Sequence, residues 1–453
     1  MELHITFSEN QPMYIAIYEQ IQQKIKCKSL QAHERIPAKR QLAKDLNVSV
    51  QTVQLAYEQL LSEGYIYSKE RSGYFISDID VVWEPIIEAQ QVQPIDLPIK
   101  SFVDLRNGQV DSAHFPLKVW QKLYKQQLNS LDFTNAPWQG EQSLRQEIAR
   151  YVYKARGIQC VASQVFIYSG TQQQLQSLMH FLKPTAVAVE EPGFIRAKAT
   201  LQQLNIQTKP IQIDQHGATV PKVNVDAYYV TPAHQFPLGY VMPLERKVAL
   251  LNWAKSNNSY LIEDDYDAEF RYQGLPIPSL GAIDCFERVI YFGAFSKTLI
   301  PSLRISYMIL PPHLVEPFEQ FHAFQKSTVS KIDQQVIAQM MQQGYNERHI
   351  AKMRTLYKKK HHLLLQALQQ HLPNDFNVTG VNAGLHVIIQ LPDWLTETEA
   401  ISKAGAIDYI MDPVSTSYMY DKPTQFVMLG FGSLPLEQIN EVIKNLATVW
   451  DSK

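Results

Sequence analysis

The sequence predicts an α/β protein with a small helical unit at its N-terminus and a large layered α/β domain after it. Two observations predict this class. Residues 78–102 lose helical periodicity and contain three prolines, as a linker does. The 453-residue chain exceeds one ordinary core, and beyond residue 102 it alternates apolar, strand-like runs with amphipathic helices. The expected domains are residues 1–77 and 103–453, with a linker at 78–102.

Composition excludes several classes of protein. Apolar residues make up 45% of the chain, which is enough for sizeable cores. Cys27, Cys160 and Cys285 lie far apart, with no spacing for zinc or for a redox pair, so we expect no metal site. The first residues lack the basic and apolar regions of a signal peptide, and no run of about 18 apolar residues occurs. We therefore expect a cytoplasmic protein without a membrane segment.

Three helices are predicted before the linker. Ile17, Ile21 and Ile25 recur every four residues and form one apolar stripe. The stretch KRQLAKDL indicates a second, short helix, and Ser49 is a good N-cap for a third helix that ends at Gly64. The residues of the second and third helices expected to face the core are Leu42, Ala43, Leu46, Val50, Val53, Ala56 and Leu60.

The second and third helices are joined by a short turn, as in a helix-turn-helix unit. Ser49, Gln51 and Thr52 at the start of the third helix could read base edges in a DNA major groove. The segment YIYSKERSGYFIS alternates around a glycine-containing turn, which predicts a β-hairpin wing. The cations that could reach DNA phosphates are Arg35, Lys39, Arg40 and Lys44 near the helices, and Lys69 and Arg71 on the wing. Periodicity alone leaves a protein-docking domain with solvated charges as an alternative.

Residues 12–77 resemble the winged helix-turn-helix of GntR-type bacterial regulators. The stretches that carry the resemblance are IPAKRQLAKDLNVSVQTV and RSGYFIS. The resemblance implies that this unit binds a double-stranded DNA operator.

The large domain has chemistry-bearing residues just beyond its predicted strands. Gly170, Thr171 and Gln172 open a helix, and their backbone N–H groups offer an anion site. The other residues at strand ends are Phe194, His234, Asp264, Tyr266, Lys297 and Arg304. The acids of EDDYD also allow a metal site or a solvated turn. Because an open α/β sheet binds ligands at the carboxyl ends of its strands, we expect these residues to converge.

A lysine beside an anion site suits a phosphorylated aldehyde cofactor. Asp264 would keep a pyridine nitrogen protonated, and Tyr266 could hydrogen-bond a phenolic oxygen. Phe194 could stack on the ring.

Six segments within residues 103–450 resemble, in order and spacing, the fold-type I aminotransferases. These enzymes share the aspartate aminotransferase fold and use pyridoxal 5'-phosphate (PLP). The resemblance implies that Lys297 forms the Schiff base with PLP and that Asp264 pairs with the pyridine nitrogen. It also implies that the phosphate is held by Gly170, Thr171, Gln172, Ser296 and Arg304.

A winged helix, a linker and an aminotransferase-like domain, in that order, resemble the MocR subfamily of GntR regulators, which has a PdxR-like branch that responds to vitamin B6. TPAHQFPLG, with His234, matches this subfamily better than free-standing enzymes, as do EDDYDAEFRY and GAFSKTLIPSLR. The resemblance implies that PLP, alone or with a small amine or amino acid, is bound as a Lys297 aldimine and modulates operator binding. It also implies a homodimer in which the winged domain of one chain lies against the large domain of the other.

The chain departs from aminotransferases on the substrate side of the site. Met428 stands where those enzymes have an arginine for the substrate carboxylate, and Asn135 stands at a family tyrosine. Pro301-Ser302 and Ile305-Ser306 replace Pro-Gly and Leu-Gly. These changes argue against efficient transamination and favour PLP itself as the signal, although Arg196 could receive an anionic effector.

Two other functions stay open. The chain could be an active PLP-dependent aminotransferase with an accessory winged-helix domain. It could also combine a protein-docking module with a large domain that has lost its cofactor.

Overall fold

The structure is a computed structural model that describes most of the chain. The described residues are 3–7, 11–79, 102–130, 134–272, 278–419 and 424–451. Their contacts divide the chain into two compact units, Met1–Ile99 and Lys100–Lys453. Residues 80–101 of the expected linker lie outside the described residues, so the boundaries at residues 77 and 102 stay predictions.

The small unit contains three helices and one hairpin. They are α1 (Met13–Lys26), α2 (Lys39–Asp45), α3 (Val50–Ser62), β1 (Ile66–Lys69) and β2 (Gly73–Ile76). The Ser49 Oγ accepts a hydrogen bond from the Thr52 N–H at 3.1 Å and so caps α3. Gly64 follows α3 with a φ of +78°, a conformation that favours glycine. The strands pair in antiparallel register, Ile66 opposite Ile76, and form the expected wing.

The core of the small unit matches the predicted apolar faces with one exception. The predicted residues that are buried in it are Ile17, Ile21, Ile25, Leu42, Ala43, Val53, Ala56 and Leu60, and Leu46 is half-buried. The prediction for Val50 is wrong, because its side chain is 44% exposed. Val50 is the first residue of α3, and helical side chains lean toward the N-terminus, so this one lies beyond the packed turns.

The large unit alternates helices and strands over most of its length. Its helices are α4 (Leu117–Ser130), α5 (Gln142–Arg156), α6 (Thr171–Leu182), α7 (Ile195–Gln203), α8 (Leu244–Ser256), α9 (Leu280–Ile283), α10 (Pro312–Phe321), α11 (Lys331–Gln342), α12 (Tyr345–His371), α13 (Glu397–Ala406) and α14 (Ile439–Asp451). Its strands are β3 (Val103–Asp104), β4 (Val165–Tyr168), β5 (Ala186–Glu191), β6 (Gln207–Asp214), β7 (Gly217–Ala218), β8 (Ala227–Val230), β9 (Tyr260–Asp265), β10 (Val289–Ala294), β11 (Ser306–Ile309), β12 (Asn377–Thr379), β13 (His386–Gln390), β14 (Tyr409–Ile410), β15 (Asp412–Pro413) and β16 (Phe426–Gly430).

An eight-stranded sheet forms the centre of the large unit. Its order is β4-β11-β10-β9-β8-β5-β6-β7. Strands β10, β9, β8, β5 and β6 pair in parallel, and β11 runs antiparallel to both of its neighbours. A second, antiparallel sheet has the order β12-β13-β16-β15, and β3 pairs with β14.

Helices cover both faces of the central sheet. On β4, Phe166 and Tyr168 pack toward α6, α7 and α10, whereas Val165 and Ile167 pack toward α4, α5 and α11. Successive residues of a strand point to opposite faces, which explains why this strand is apolar at every position. The layers leave the carboxyl ends of the parallel strands at one edge, where the predicted site lies.

Within the described part of the chain, no helix is both long and apolar enough to cross a membrane.

Candidate cofactor site and nucleic-acid surface

The predicted site residues follow strands that end at the same edge of the central sheet. Gly170 follows β4, Phe194 follows β5, Tyr266 follows β9 and Lys297 follows β10. Strand β11 runs in the opposite direction and begins at this edge, which places Arg304, two residues before it, beside the others. The order of strands in the sheet therefore converts positions far apart in sequence into neighbours.

A cavity of about 310 Å³ lies at this edge. The predicted residues that line it are Thr171, Phe194, Arg196, Asp264, Tyr266, Ser296, Lys297 and Arg304. Gly170 lies beside the cavity, against Arg304. Gln172 was predicted to contribute its backbone N–H, and its side chain is exposed. His234 does not line the cavity but is buried behind Tyr266.

One end of the cavity is built to receive an anion. A Cβ at Gly170, where φ is +121°, would lie 2.1 Å from the Arg304 Nη2, so only glycine lets the guanidinium approach the loop. The Gly170 N–H donates to the Ser306 Oγ at 2.9 Å, which fixes the loop on β11. No side chain caps α6, and the N–H groups of Thr171 and Gln172 stay available, because neither donates to a residue that the structure describes. Among the residues that the structure describes, none pairs with the Arg304 guanidinium.

Lys297 carries a basic amine with an unusually low affinity for protons. The pKa of Lys297 is lowered to about 8, chiefly by burial and to a smaller extent by the nearby Arg196 charge, while Asp267 and Asp412 oppose the change. The Nζ lies 3.5 Å from the Asn107 Oδ1. A substantial fraction of this amine is therefore neutral near pH 8, as nucleophilic attack on an aldehyde requires.

Asp264 is a buried acid at the end of β9. Burial raises the pKa of Asp264 to about 7, and the hydrogen bond donated by the Tyr229 hydroxyl opposes the rise. A protonated ring nitrogen would supply the positive charge that this carboxylate lacks.

The His234 imidazole connects Tyr266 to a second acid. Its Nδ1 lies 2.9 Å from the Asp267 Oδ2 and 3.0 Å from the Tyr266 hydroxyl. One nitrogen cannot donate to Asp267 and accept from Tyr266 at the same time. With the proton on Nδ1 the imidazole donates to Asp267, and the Tyr266 hydroxyl is left to donate into the cavity.

His386 completes a buried group with His234 and Asp267, whose nitrogen and oxygen atoms lie within 4.8 Å of one another. The His386 Nε2 bonds the Pro237 carbonyl at 2.9 Å, and burial beside His234 lowers the pKa of His386 to about 3, so this ring is neutral. Hydrogen bonds link Asp267, His234 and Tyr266 in a network behind the cavity, and the His386 ring packs against the His234 ring at its side. The expected absence of a metal stays a prediction.

Several residues of the site were not predicted from the sequence. Asn107 and Gly108 line the cavity from the turn after β3, and Asp412 lines it from β15. The dipeptide Asn107-Gly108 is a turn signal, but nothing local connects it with a lysine 190 residues away. Met428 lines the cavity from β16, whereas Asn135 is exposed and does not.

The small unit gathers its predicted DNA-binding residues around α3 and the wing. Gln51 and Ser49 are exposed at the start of α3, and Thr52 is half-buried. The Arg35 guanidinium lies against Gly73 of the wing, and the Lys39 Nζ lies 5.7 Å from the Tyr74 ring.

The wing and α2 provide the remaining cations. Arg40 and Arg71 are exposed, and Arg71 occupies the hairpin turn with a φ of +56°. The Lys69 Nζ lies 5.0 Å from the Phe75 ring. The predicted residues therefore lie on or next to two elements that can enter adjacent parts of a DNA duplex.

Comparison with known proteins assigns each of the two units to a protein family. Residues 100–409 match the family "Aminotransferase class I and II", and residues 13–76 match "Bacterial regulatory proteins, gntR family". The chain is 39% identical to the uncharacterized HTH-type transcriptional regulator YhdI of Bacillus subtilis, over 97% of this chain and 96% of that one. It is 28% identical to the probable rhizopine catabolism regulatory protein MocR of Rhizobium meliloti, over 97% and 94%. The chain belongs to the MocR-type regulators of the GntR family.

A further MocR-type relative is the HTH-type pyridoxine biosynthesis transcriptional regulator PdxR of Corynebacterium glutamicum. It is 29% identical over 86% of each chain. The GntR unit makes this protein a DNA-binding transcription regulator, so the expectation of DNA binding is confirmed.

Solved structures confirm the fold class of the large unit of this MocR-type regulator. An archaeal alanine:glyoxylate aminotransferase superposes with a TM-score of 0.72 and 26% identity, over 78% of this chain and 92% of that one. Kynurenine aminotransferase of Pyrococcus horikoshii, in complex with PMP, gives a TM-score of 0.69 and 26% identity, over 78% and 91%. The cofactor of the large unit is PLP.

The residues present fit this cofactor. Arg304 and the Gly170 loop form an anion cradle that a Cβ would fill. The Lys297 amine, with its lowered pKa, lies in the same cavity as the buried Asp264. The roles of the individual residues stay predictions.

Proposed function

We propose that the protein is a PLP sensor that controls transcription in vitamin B6 or amino-compound metabolism. Occupancy of the Lys297 cavity, by PLP alone or with a small amine or amino acid, modulates the affinity of the winged unit for its operator. The observation that carries the proposal is a cavity that has the groups to bind PLP but has Met428 on its wall at the position where aminotransferases have an arginine for the substrate carboxylate.

Each residue of the cavity has one task in this proposal. PLP supplies an aldehyde that condenses with amines. The Lys297 amine holds the cofactor, and its pKa of about 8 keeps part of it unprotonated for that purpose. Arg304 and the N–H groups at the start of α6 hold the phosphate, and Asp264 holds the proton of the pyridine nitrogen.

Tyr266 and Phe194 orient the ring of the cofactor. The Tyr266 hydroxyl would donate to the phenolic oxygen, because the His234 Nδ1 is engaged by Asp267. The half-buried Phe194, which lines the cavity, would cover one face of the ring.

The signal reaches DNA only if the ligand binds one arrangement of the two units better than another. Each tenfold difference in affinity between arrangements supplies about 1.4 kcal/mol of coupling, and by linkage DNA changes ligand affinity by the same factor. We propose that the regulator acts as a homodimer with exchanged winged units.

An absorption titration tests the cofactor site. We expect purified protein titrated with PLP to develop a saturable visible band, and borohydride reduction to fix the cofactor on the chain. Lys297→Ala removes the amine and should lose both. A band that persists in Lys297→Ala would contradict the role of this residue.

The proposed effect of PLP on DNA affinity is tested by a binding assay with DNA from upstream of the coding sequence. We expect PLP to change the affinity by at least about tenfold in the parent protein, and to change it far less in Lys297→Ala. Arg40→Ala should reduce the salt dependence of binding by about one phosphate contact. An affinity for DNA that PLP leaves unchanged would refute the sensor proposal.

Aminotransfer is the second candidate function. It is favoured by the presence of Lys297, Asp264, Tyr266 and Arg304 in one cavity. Steady turnover of an amino donor with an oxo acid, abolished in Lys297→Ala, would establish it in place of pure sensing.

A further inference from the structure

Two of the charged residues that line the cavity have no role in binding PLP. The basic residues that line it are Arg196, Lys297 and Arg304, and the acidic ones are Asp264 and Asp412. In the proposed function, on which this inference rests, PLP engages Arg304 by its phosphate, Asp264 by its pyridine nitrogen and Lys297 by its aldehyde. Arg196 and Asp412 then remain, one cation and one anion.

Asp412 lies on the same side of the cavity as the lysine amine. It pairs with Met428 across β15 and β16. Its Oδ2 accepts the Asn107 N–H at 3.0 Å, and the Asn107 Oδ1 lies 3.5 Å from the Lys297 Nζ. In the part of the chain that the structure describes, the Asp412 Oδ1 accepts no hydrogen bond. The Oδ1 of this half-buried carboxylate can therefore accept a hydrogen bond from a ligand beside the cofactor.

Arg196 is the matching cation at the mouth of the cavity. It is exposed on the first turn of α7, and none of the described residues pairs with its guanidinium. No ion pair within 4 Å joins it to Asp412, although the Arg196 charge favours the ionised form of the Asp412 carboxyl group. The two charges are thus separate enough to contact different groups of one ligand.

The cavity that holds these charges also has an apolar wall. Met428 and Phe236 line the cavity and belong to one buried cluster, which Phe194 and Tyr266 join at its edge. Such a wall suits an aliphatic chain, because burial of its CH₂ groups is favourable and demands no hydrogen bond.

We propose that Asp412 and Arg196 together select a diamino carboxylic acid as the effector. One amino group faces the cofactor, the carboxylate binds Arg196, the aliphatic chain packs on Met428, and the second ammonium group binds Asp412. Asp412 is the residue that distinguishes such a ligand from an ordinary monoamino acid.

A purely structural role for Asp412 makes a different prediction. If the carboxylate only holds the Asn107 loop, its replacement weakens every ligand alike. Asp412→Asn separates the two roles, because the asparagine Oδ1 can still accept the Asn107 N–H while the negative charge is gone.

Calorimetric titration of the PLP-loaded protein tests the proposal with three probes. L-lysine carries all the required groups, L-norleucine lacks the distal ammonium, and 1,5-diaminopentane lacks the carboxylate. We expect the parent protein to bind L-lysine at least about tenfold more tightly than either of the others, since bonds between charged groups typically add about one to two orders of magnitude in affinity.

The variants then identify the residues responsible. In Asp412→Asn we expect L-lysine and L-norleucine to bind equally, with L-norleucine unchanged from the parent. In Arg196→Gln we expect the preference for L-lysine over 1,5-diaminopentane to be lost. Asp393→Asn is the control, because it makes the same charge change at an exposed position outside the cavity.

Three results would overturn the assignment. They are a parent protein that binds PLP but does not distinguish L-lysine from L-norleucine, an Asp412→Asn variant that weakens both probes equally, and an Asp393→Asn control that loses the preference as well. Failure of the parent protein to bind PLP at all would instead refute the proposed function, and this assignment with it.

Discussion

Asp264 is expected to destabilise the PLP-free protein at neutral and alkaline pH. Its carboxyl group is buried at the end of β9 and accepts a hydrogen bond from the Tyr229 hydroxyl. Burial raises the pKa of Asp264 from 3.8 to about 7. In Asp264→Asn the asparagine oxygen can still accept the hydrogen bond from Tyr229, but the negative charge is gone. The variant therefore isolates the free energy that burial of the charge costs the folded state.

The size and sign of the effect follow from linkage. A rise of about three pKa units corresponds to about 4 kcal/mol. Because the folded state binds the proton more tightly than the unfolded state, the cost is absent below about pH 4. It grows as the pH rises toward 7 and is complete above that value. We therefore expect Asp264→Asn to be about 4 kcal/mol more stable than the parent at about pH 8, and equally stable at about pH 4.

Urea unfolding followed by tryptophan fluorescence measures this difference. Five of the six tryptophans lie within residues 103–453, so the signal reports the large domain. The midpoint for Asp264→Asn should exceed that of the parent at about pH 8 and coincide with it at about pH 4. Asp393→Asn, an exposed change of the same kind, should stay within about 0.5 kcal/mol of the parent at both pH values.

PLP should narrow the difference in stability between the two proteins. The cofactor stabilises the folded state by about 2.7 kcal/mol at a hundred times its dissociation constant. This gain requires the Asp264 carboxylate as partner of the pyridine nitrogen, so the variant should gain much less. A PLP-free Asp264→Asn that is less stable than the parent at about pH 8, or a difference that does not change with pH, would refute the reasoning.

Three further predictions concern the cradle, the hydrogen-bond network and the DNA-binding unit. Gly170→Ala places a Cβ 2.1 Å from the Arg304 Nη2, and we expect absorption titration to show PLP affinity reduced by at least about tenfold. Asp267→Ala removes the acceptor of the His234 Nδ1–H and frees this nitrogen to accept from Tyr266, and the same titration should show PLP affinity reduced several-fold, with an altered pH profile of the visible band. Ser49→Ala removes the cap of α3 and should destabilise the small unit by about 1 kcal/mol in thermal unfolding, whereas unchanged unfolding would contradict the cap.

Local patterns in the sequence predicted the elements of the small unit. Ile17, Ile21 and Ile25 define a helix face by spacing alone, and the capping role of Ser49 is visible in the residues around it. Val50 shows where this reasoning fails. A periodicity does not tell whether a partner lies opposite the first turn of a helix, and here none does.

The strand-end residues of the large unit were predictable for a related reason. In a parallel sheet the loops after successive strands open at one edge, so Asp264 and Lys297 can be placed together before any contact is known. The resemblance to aminotransferases added their relation to PLP, which the comparisons then confirmed at the level of the cofactor.

Contacts between distant segments were decided only by the tertiary structure. The place of Asn107 beside Lys297 and the position of Asp412 opposite Met428 depend on how β15, β16 and the turn after β3 pack at the sheet edge. Similarly, His234 was predicted at the cofactor but lies behind Tyr266, bonded to Asp267. Turn signals and periodicities act over a few residues, whereas these placements result from the packing of whole layers, which no short stretch of sequence encodes.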